Sequence, residues 1–434
     1  MAKADAVLPY QHLIESCFAD KVGQAGLDRA AFDALLNEAA PAIDNLRNRQ
    51  KAGDMPLLSL PGRADDLDDL DPVAARLRAD FDDVVVLGTG GSSLGAQALL
   101  ALAPHAVGSR LHLPDNLDGD GFADLLGRLA PDRTAVLAVS KSGGTAETIA
   151  QTLATMTWLK DALGDGAVAD RVTAIVEPGD SVLRRLAARW QMQTLDHDPN
   201  LGGRYSVLSL VGLLPAMIAG LDARAVRAGA DAVLQATLAN ADAPPIAGAA
   251  IAVGLQRAHG ISTNVVMPYC DRLERLAAWH RQLWAESLGK DGRGLTPISS
   301  LGPVDQHSQL QLWLDGPADK SFTVIEVESR GRGPAIDLAL TGDDPALSYL
   351  KSRTIGDVVA AEARATAETL AARGRPTRVM KLEKLDEKAV GALLMHFMLE
   401  CIVAAHLLGV DPFDQPAVED GKVLTRQYLA EGHS

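Results

Sequence analysis

The chain has 434 residues, 47% of them hydrophobic, with a formal net charge of −15 at pH 7. The apolar share excludes a disordered chain, and the length predicts two or three domains with ample core. The negative charge argues against general nucleic-acid binding, because nucleic-acid phosphates need a basic face.

Residues 1–80 read as a helical arm. Apolar residues recur at helical spacing over 27–50 and again over 73–81, and 53–61 is a loop. No strand is expected there. From Asp83 onward, short apolar runs alternate with helical patterns. Strands are expected at 84–87, 110–113, 135–139, 172–176 and 192–195. The helices between them fall at 96–102, 122–129, a long one ending near 163, and 182–190. Residues 206–239 read as two helices broken at Gly220-Leu-Asp222.

A second alternation follows, with strands at 263–268, 295–299, 322–327 and 377–382. Its helices fall at 273–288, 308–314 and 355–373. Helices at 389–408 and 417–430 close the chain. The pattern implies an α/β fold of two doubly wound units, each a parallel sheet flanked by helices. The expected division is an arm over 1–80, a first unit over 81–225, a second over 226–412 and a C-terminal helical segment over 413–434.

No apolar run approaches the ~20 residues of a membrane span. The first residues lack a basic segment followed by an apolar core, so no secretory signal is expected. Cys17, Cys270 and Cys401 are odd in number, far apart and outside any CxxC pair. They predict reduced thiols and a cytoplasmic protein.

Six segments carry candidate chemistry. Gly88-Thr-Gly-Gly-Ser-Ser-Leu-Gly95 lies between a strand and a helix, where glycines admit a ligand close to backbone N–H groups. It is a poor dinucleotide fingerprint, because Gly88, Gly90 and Ser93 supply two glycines of three and only Asp115 stands near the acidic position. A tight turn without ligand is the alternative. Ser140-Lys-Ser-Gly-Gly-Thr145 repeats the strand-to-helix context with three hydroxyls and a lysine. That donor density suits a phosphate, whereas helix capping would use one hydroxyl.

Arg204, between glycines and a helix, is either a surface charge or a group reaching into a cleft. Glu286 follows Gln282 by one helical turn, so both project from one face. His307 lies near a helix start after a Gly-Pro turn, and Lys422 follows Glu419-Asp-Gly. Either would also pass as an ordinary surface residue. Glu400, His396 and His406 share an apolar helix and read as satisfied or interface positions. Ten histidines form no HxH or HExxH, so no metal is expected. GxSxG is absent, which argues against a serine hydrolase.

Taken in order, GTGGSSLG (88–95), SKSGGT (140–145), GGRYSVLS (202–209), QLWAESLGK (282–290), GPVDQHSQ (302–309) and PFDQPAVEDGK (412–422) resemble the glucose-6-phosphate isomerase family. The resemblance implies two sugar-isomerase-type domains with a site between them, no cofactor and no metal. By motif, Glu286 falls on the family's carbon base and Arg204 on the arginine beside the enediolate. His307 and Lys422 fall on the ring-opening pair. Gly91, Ser92, Ser140, Lys141, Ser142 and Thr145 fall on contacts to the substrate's phosphate and hydroxyls. Gln282 and Gln415 fall on substrate-contacting glutamines. The family is usually dimeric, and its histidine reaches the site from the partner subunit, so a homodimer with shared sites is expected.

Three positions depart from the family pattern: Leu288, Pro416-Ala417 and Gly144. The expected activity is interconversion of glucose 6-phosphate and fructose 6-phosphate, an anionic hexose being the partner. Two rival readings are a dual-specificity isomerase that also takes mannose 6-phosphate and a non-catalytic sugar-phosphate sensor. The presence of both Glu286 and Lys422 argues against a sensor.

Overall fold

The computed structural model describes residues 8–103, 109–342 and 344–432. Two five-stranded sheets organise the chain, and its first strand, Gln11–Leu13 (β1), belongs to the second of them. The first sheet contains Asp83–Leu87 (β2), Arg110–His112 (β3), Thr134–Val139 (β4), Val172–Val176 (β5) and Gln193–Asp196 (β6). All its pairs are parallel, in the order β3-β2-β4-β5-β6. The second contains Thr263–Pro268 (β7), Thr296–Ser299 (β8), Lys320–Val327 (β9) and Thr377–Leu382 (β10) as parallel strands. Every residue of β2, β4, β5 and β7 is buried. Strands covered by helices on both faces need such continuous apolar runs.

The strands expected from sequence are all present, and β1 is added. It pairs antiparallel with β10 at the edge of the second sheet. The arm is therefore not wholly helical. Three residues are too few to show an alternating pattern, and this strand exists because β10 offers it an open edge. The long helix Arg29–Ala52 starts at Asp28, whose carboxylate accepts from the backbone N–H groups of Ala30 and Ala31.

A helix at Pro244–His259, unmarked by periodicity, is buried nearly all round. An apolar stripe is legible only when a polar face contrasts with it. Glu387–Leu408 is similar. Its mean hydropathy of 1.8 and 22 residues would suit a membrane span, yet 94% of its apolar window is buried inside the protein. It packs against Ala223–Ala239, Pro244–His259 and Glu274–Leu288 as the central core helix.

That core contains charge. Glu400 is fully buried and ion-paired with Arg378 at 2.8 Å, and it bonds His396 Nε2 at 2.9 Å. The Tyr10 hydroxyl is 2.7 Å from His396 Nδ1, so the arm is tied to the core helix. His396 is thus bonded at both ring nitrogens and Glu400 is held by one ion pair and one hydrogen bond, whereas His406 is exposed. Burial pushes the Glu400 carboxyl up, but Arg378 and His396 outweigh it and hold the group down to about 2.

Candidate active site

In the first sheet, β2 is followed by β3 on one side and by β4 on the other. The chain reverses direction across the sheet there, and the C-terminal ends of β2 and β4 diverge into a crevice. Both glycine-rich turns stand at those ends. They are adjacent: a Cβ at Gly88 would lie 3.2 Å from the Val139 carbonyl oxygen.

In the second turn, Ser140 is buried and its Oγ lies 3.0 Å from Thr145 Oγ1. Gly143 has φ +62°, and a Cβ there would strike Ser181 Oγ. Lys141 is half-buried and Ser142 exposed, so these two face outward while Ser140 is covered. The helix Ala146–Leu163 begins immediately after it. Its first-turn N–H groups and this cluster are suited to an anion.

The second sheet has an equivalent crevice between β7 and β9, opening on a cavity of about 1130 Å³ lined in part by Tyr269, Glu328 and Asp357. There the anion position is already filled. The Asp357 carboxylate accepts from the N–H groups of Thr354 at 2.8 Å and Gly331 at 3.1 Å. Those bonds depress its pKa. The helix start after the second sheet thus carries its own carboxylate cap, which the Ser140 turn lacks.

The first turn also faces the other elements. A Cβ at Gly91 would lie 2.3 Å from the Gly203 carbonyl carbon and 2.6 Å from the Arg204 nitrogen. Gly90 has φ +57° and abuts the Gln282 side chain. Ser92 ends the short turn Gly90–Ser92. Close backbone approach thus joins this loop to the Gly203–Leu208 turn and to the Glu274–Leu288 helix.

Arg204 lies at that junction, 4% exposed, with its guanidinium fully engaged. Nε donates to Ser287 Oγ at 2.8 Å. Nη1 donates to Gln415 Oε1 at 2.7 Å and to Glu286 Oε2 at 3.2 Å. Nη2 donates to the carbonyl oxygens of Pro412 at 2.6 Å and Asp414 at 3.0 Å. The second Glu286 oxygen accepts from Gln282 Nε2 at 3.0 Å. The Glu286 side chain is one-third exposed, so a carboxylate fixed on both oxygens still meets solvent. Such a group, beside a buried cation, can take a proton from carbon while positive charge steadies the oxygen. Among the described residues, no cluster of three His, Cys, Asp or Glu side chains could hold a metal ion.

The phosphoglucose isomerase family model matches residues 76–296. The chain is 38% identical over 432 residues to a glucose-6-phosphate isomerase of Rubrobacter xylanophilus, covering 97% of each. It belongs to the phosphoglucose isomerase family. In structure it is similar to a hypothetical protein of Thermus thermophilus, with a TM-score of 0.83 and 33% identity, covering 97% of this chain and 100% of that one. A glucose-6-phosphate isomerase from Chlamydia trachomatis shares the fold, with a TM-score of 0.72 at 22% identity over 84% of this chain and 73% of that one.

Within this phosphoglucose isomerase fold, Gly91, Arg204, Gln282, Glu286 and Gln415 come together. Two sequence candidates stand apart from them. His307 is exposed on the short helix Val304–Ser308, and its side chain makes no hydrogen bond with a described residue. Lys422 is exposed on the helix Glu419–Glu431, and its ammonium bonds Glu419 Oε1 at 2.7 Å. That helix is exposed along its whole length.

Sequence reasoning passed over Ser287, Tyr205 and Lys290. Lys290 lies 2.6 Å from Asp414 Oδ1 and also bonds the Asp411 carbonyl, fastening the segment that carries Gln415. The only available signal was their position inside the two motifs, which names no partner. Of the departures, Gly144 is exposed and a Cβ there would meet nothing within 4 Å, so the missing side chain removes no packing.

Proposed function

We propose that the chain interconverts glucose 6-phosphate and fructose 6-phosphate through an enediolate. The observation that carries this reading is the part-exposed Glu286 carboxylate held by Arg204 and Gln282 beside the crevice of the first sheet. Glu286 carries a proton between C1 and C2. Arg204 supplies positive charge to the enediolate oxygen. The turn with Ser140, Lys141, Ser142 and Thr145, together with Gly91 and Ser92, binds the phosphate and hydroxyls, and this remote binding keeps the sugar in register. Gln282 and Gln415 contact the sugar. His307, from a second copy of the chain, and Lys422 open the ring.

The unpartnered His307 and the uncovered C-terminal helix support a homodimer with shared sites, since both have free surface to offer a second copy. The division at 81–225 and 226–412 is supported by the strands, because β2–β6 fall in the first and β7–β10 in the second. Burial pushes the Cys17 thiol up to about 12 and Cys401 to about 11, which suits reduced, inert thiols in a cytoplasm.

The test is a coupled assay for glucose 6-phosphate formed from fructose 6-phosphate, with Glu286→Gln in parallel. The wild type should turn over, and the variant should lose roughly 10³-fold or more in kcat. Solvent exchange of the substrate's C2 hydrogen should stop with it. A wild type without turnover sinks the reading, and a variant near wild type removes Glu286 from the role.

A further inference from the structure

We infer that Ser287 and Tyr205 act together as positioning residues that set the plane of the Arg204 guanidinium. The inference rests on the role of Arg204 proposed above.

Ser287 follows Glu286 on the helix, so its side chain leaves the axis about 100° away from that of the carboxylate. It is fully buried, and Tyr205 is 1% exposed. Ser287 Oγ accepts from Arg204 Nε at 2.8 Å and lies 3.1 Å from Tyr205 Oη. Tyr205 Oη lies 3.4 Å from the Pro412 carbonyl oxygen and 3.8 Å from Cys401 Sγ.

The direction of donation at each end follows from the donor inventory. A guanidinium nitrogen can only donate, and a carbonyl can only accept. Ser287 therefore receives from Arg204 at one lone pair and shares a hydrogen bond with Tyr205 in which either hydroxyl can donate. Tyr205 in turn reaches the Pro412 carbonyl, which can only accept. The Pro412 carbonyl also accepts from Arg204 Nη2 at 2.6 Å, so the circuit closes on the guanidinium it started from. Nε and Nη2, which share one edge of the guanidinium, are both fixed by this ring. Nη1 is left aimed at Glu286 and Gln415. Breaking the ring anywhere leaves a buried donor without a partner, which makes it stiff.

Neither hydroxyl is accessible to a substrate, so neither is a catalytic residue. Their effect is on where Nη1 stands when negative charge develops. Losing that aim should weaken transition-state binding more than substrate binding.

Ser287→Ala, Tyr205→Phe and the double variant test this. Tyr205→Phe keeps the ring and its packing, so it decides the matter if Ser287→Ala folds poorly. We expect kcat to fall roughly 10- to 100-fold in each, with KM nearly unchanged. A phosphorylated hydroxamate that mimics the enediolate should weaken in step with kcat, and a phosphorylated sugar alcohol should bind as before. The double variant should be no worse than the poorer single one, because both break one circuit.

A second readout does not depend on turnover. The Arg204 Nε–H resonance, assigned through Arg204→Lys, should exchange slowly in the wild type and fast in Ser287→Ala. Unchanged kcat in folded variants, equal weakening of hydroxamate and alcohol, or unchanged Nε–H exchange would each overturn the inference. An inactive wild type would instead sink the proposed function, and the exchange measurement would still decide the positioning.

Discussion

Arg204 Nη1 donates to Gln415 Oε1 at 2.7 Å, across 211 residues of sequence. The same nitrogen reaches Glu286, 82 residues away. One buried cation thus fastens a turn after the first sheet, a helix of the second unit and the segment leading to the C-terminal helix. Lys290 fastens the same segment through Asp414. The geometry around Glu286 therefore depends on contacts that lie far apart in the chain, and variants at those contacts should report on it.

Gly91→Ala is expected to damage the site without touching a polar group. The new Cβ must displace the Gly203–Arg204 backbone, which cannot yield as a flexible side chain would. Overpacking of this kind costs about 1–3 kcal/mol. A shift of Arg204 near 1 Å should lower kcat/KM by roughly 10²-fold. Thermal unfolding and steady-state kinetics measure both, and a variant unaltered in kcat/KM would show that the contact does not position Arg204.

Replacing Ser140 and Thr145 together by Ala should raise KM and also lower kcat. The two hydroxyls are 3.0 Å apart and lie at one helix N-terminus, so one phosphate can engage both. Remote binding energy that holds the sugar in register is lost from the transition state as well. Free glucose should compete far more weakly than glucose 6-phosphate against the wild type. Equal competition would remove this turn from phosphate binding.

His307 tests whether sites are shared. Glu286→Gln and His307→Ala should each be inactive alone. After dissociation and reassembly, a mixed dimer with shared sites holds one intact site and one doubly defective site, so activity should return. Failure to regain activity, with mixed dimers shown to form, would assign both residues to one subunit.

Acid should destabilise the fold through groups buried on and against the core helix. His280 is fully buried between Trp284 and Phe397, and burial pushes its imidazole down from 6.5 to about 3. Between those values the unfolded chain binds a proton that the folded chain refuses, so stability falls as pH falls. Glu400 acts in the same direction lower down. Its carboxyl protonates near 4.5 when unfolded and about 2 when folded, so its contribution is lost across that window. The unfolding temperature should drop from pH 6.5 toward pH 4, and less steeply in His280→Gln above pH 5. Parallel curves for the two proteins would remove His280 from the acid response.

Much of the fold was legible in the sequence because its signals are local. The buried strands β2, β4, β5 and β7 are short apolar runs closed by glycine, proline or polar residues, and that pattern survives in one dimension. The turns at Gly88 and Ser140 were legible for the same reason, as glycine and hydroxyl clusters between a strand and a helix. Glu286 and Gln282 could be put on one helix face from their spacing alone.

What only the tertiary structure decided is pairing over distance. Nothing local marks Gln11–Leu13 as a strand, since its partner β10 lies more than 360 residues downstream. Nothing local says that Arg204 is buried rather than solvated, because its five acceptors come from residues 286, 287, 412, 414 and 415. Periodicity reports which face of an element is apolar, and composition reports which groups can donate or accept. Neither carries the relative placement of elements, which is set by how whole apolar faces pack. The sequence by itself determined most of the elements and the donors; the packing of the two sheets around one core helix added the rest and determined which donors meet.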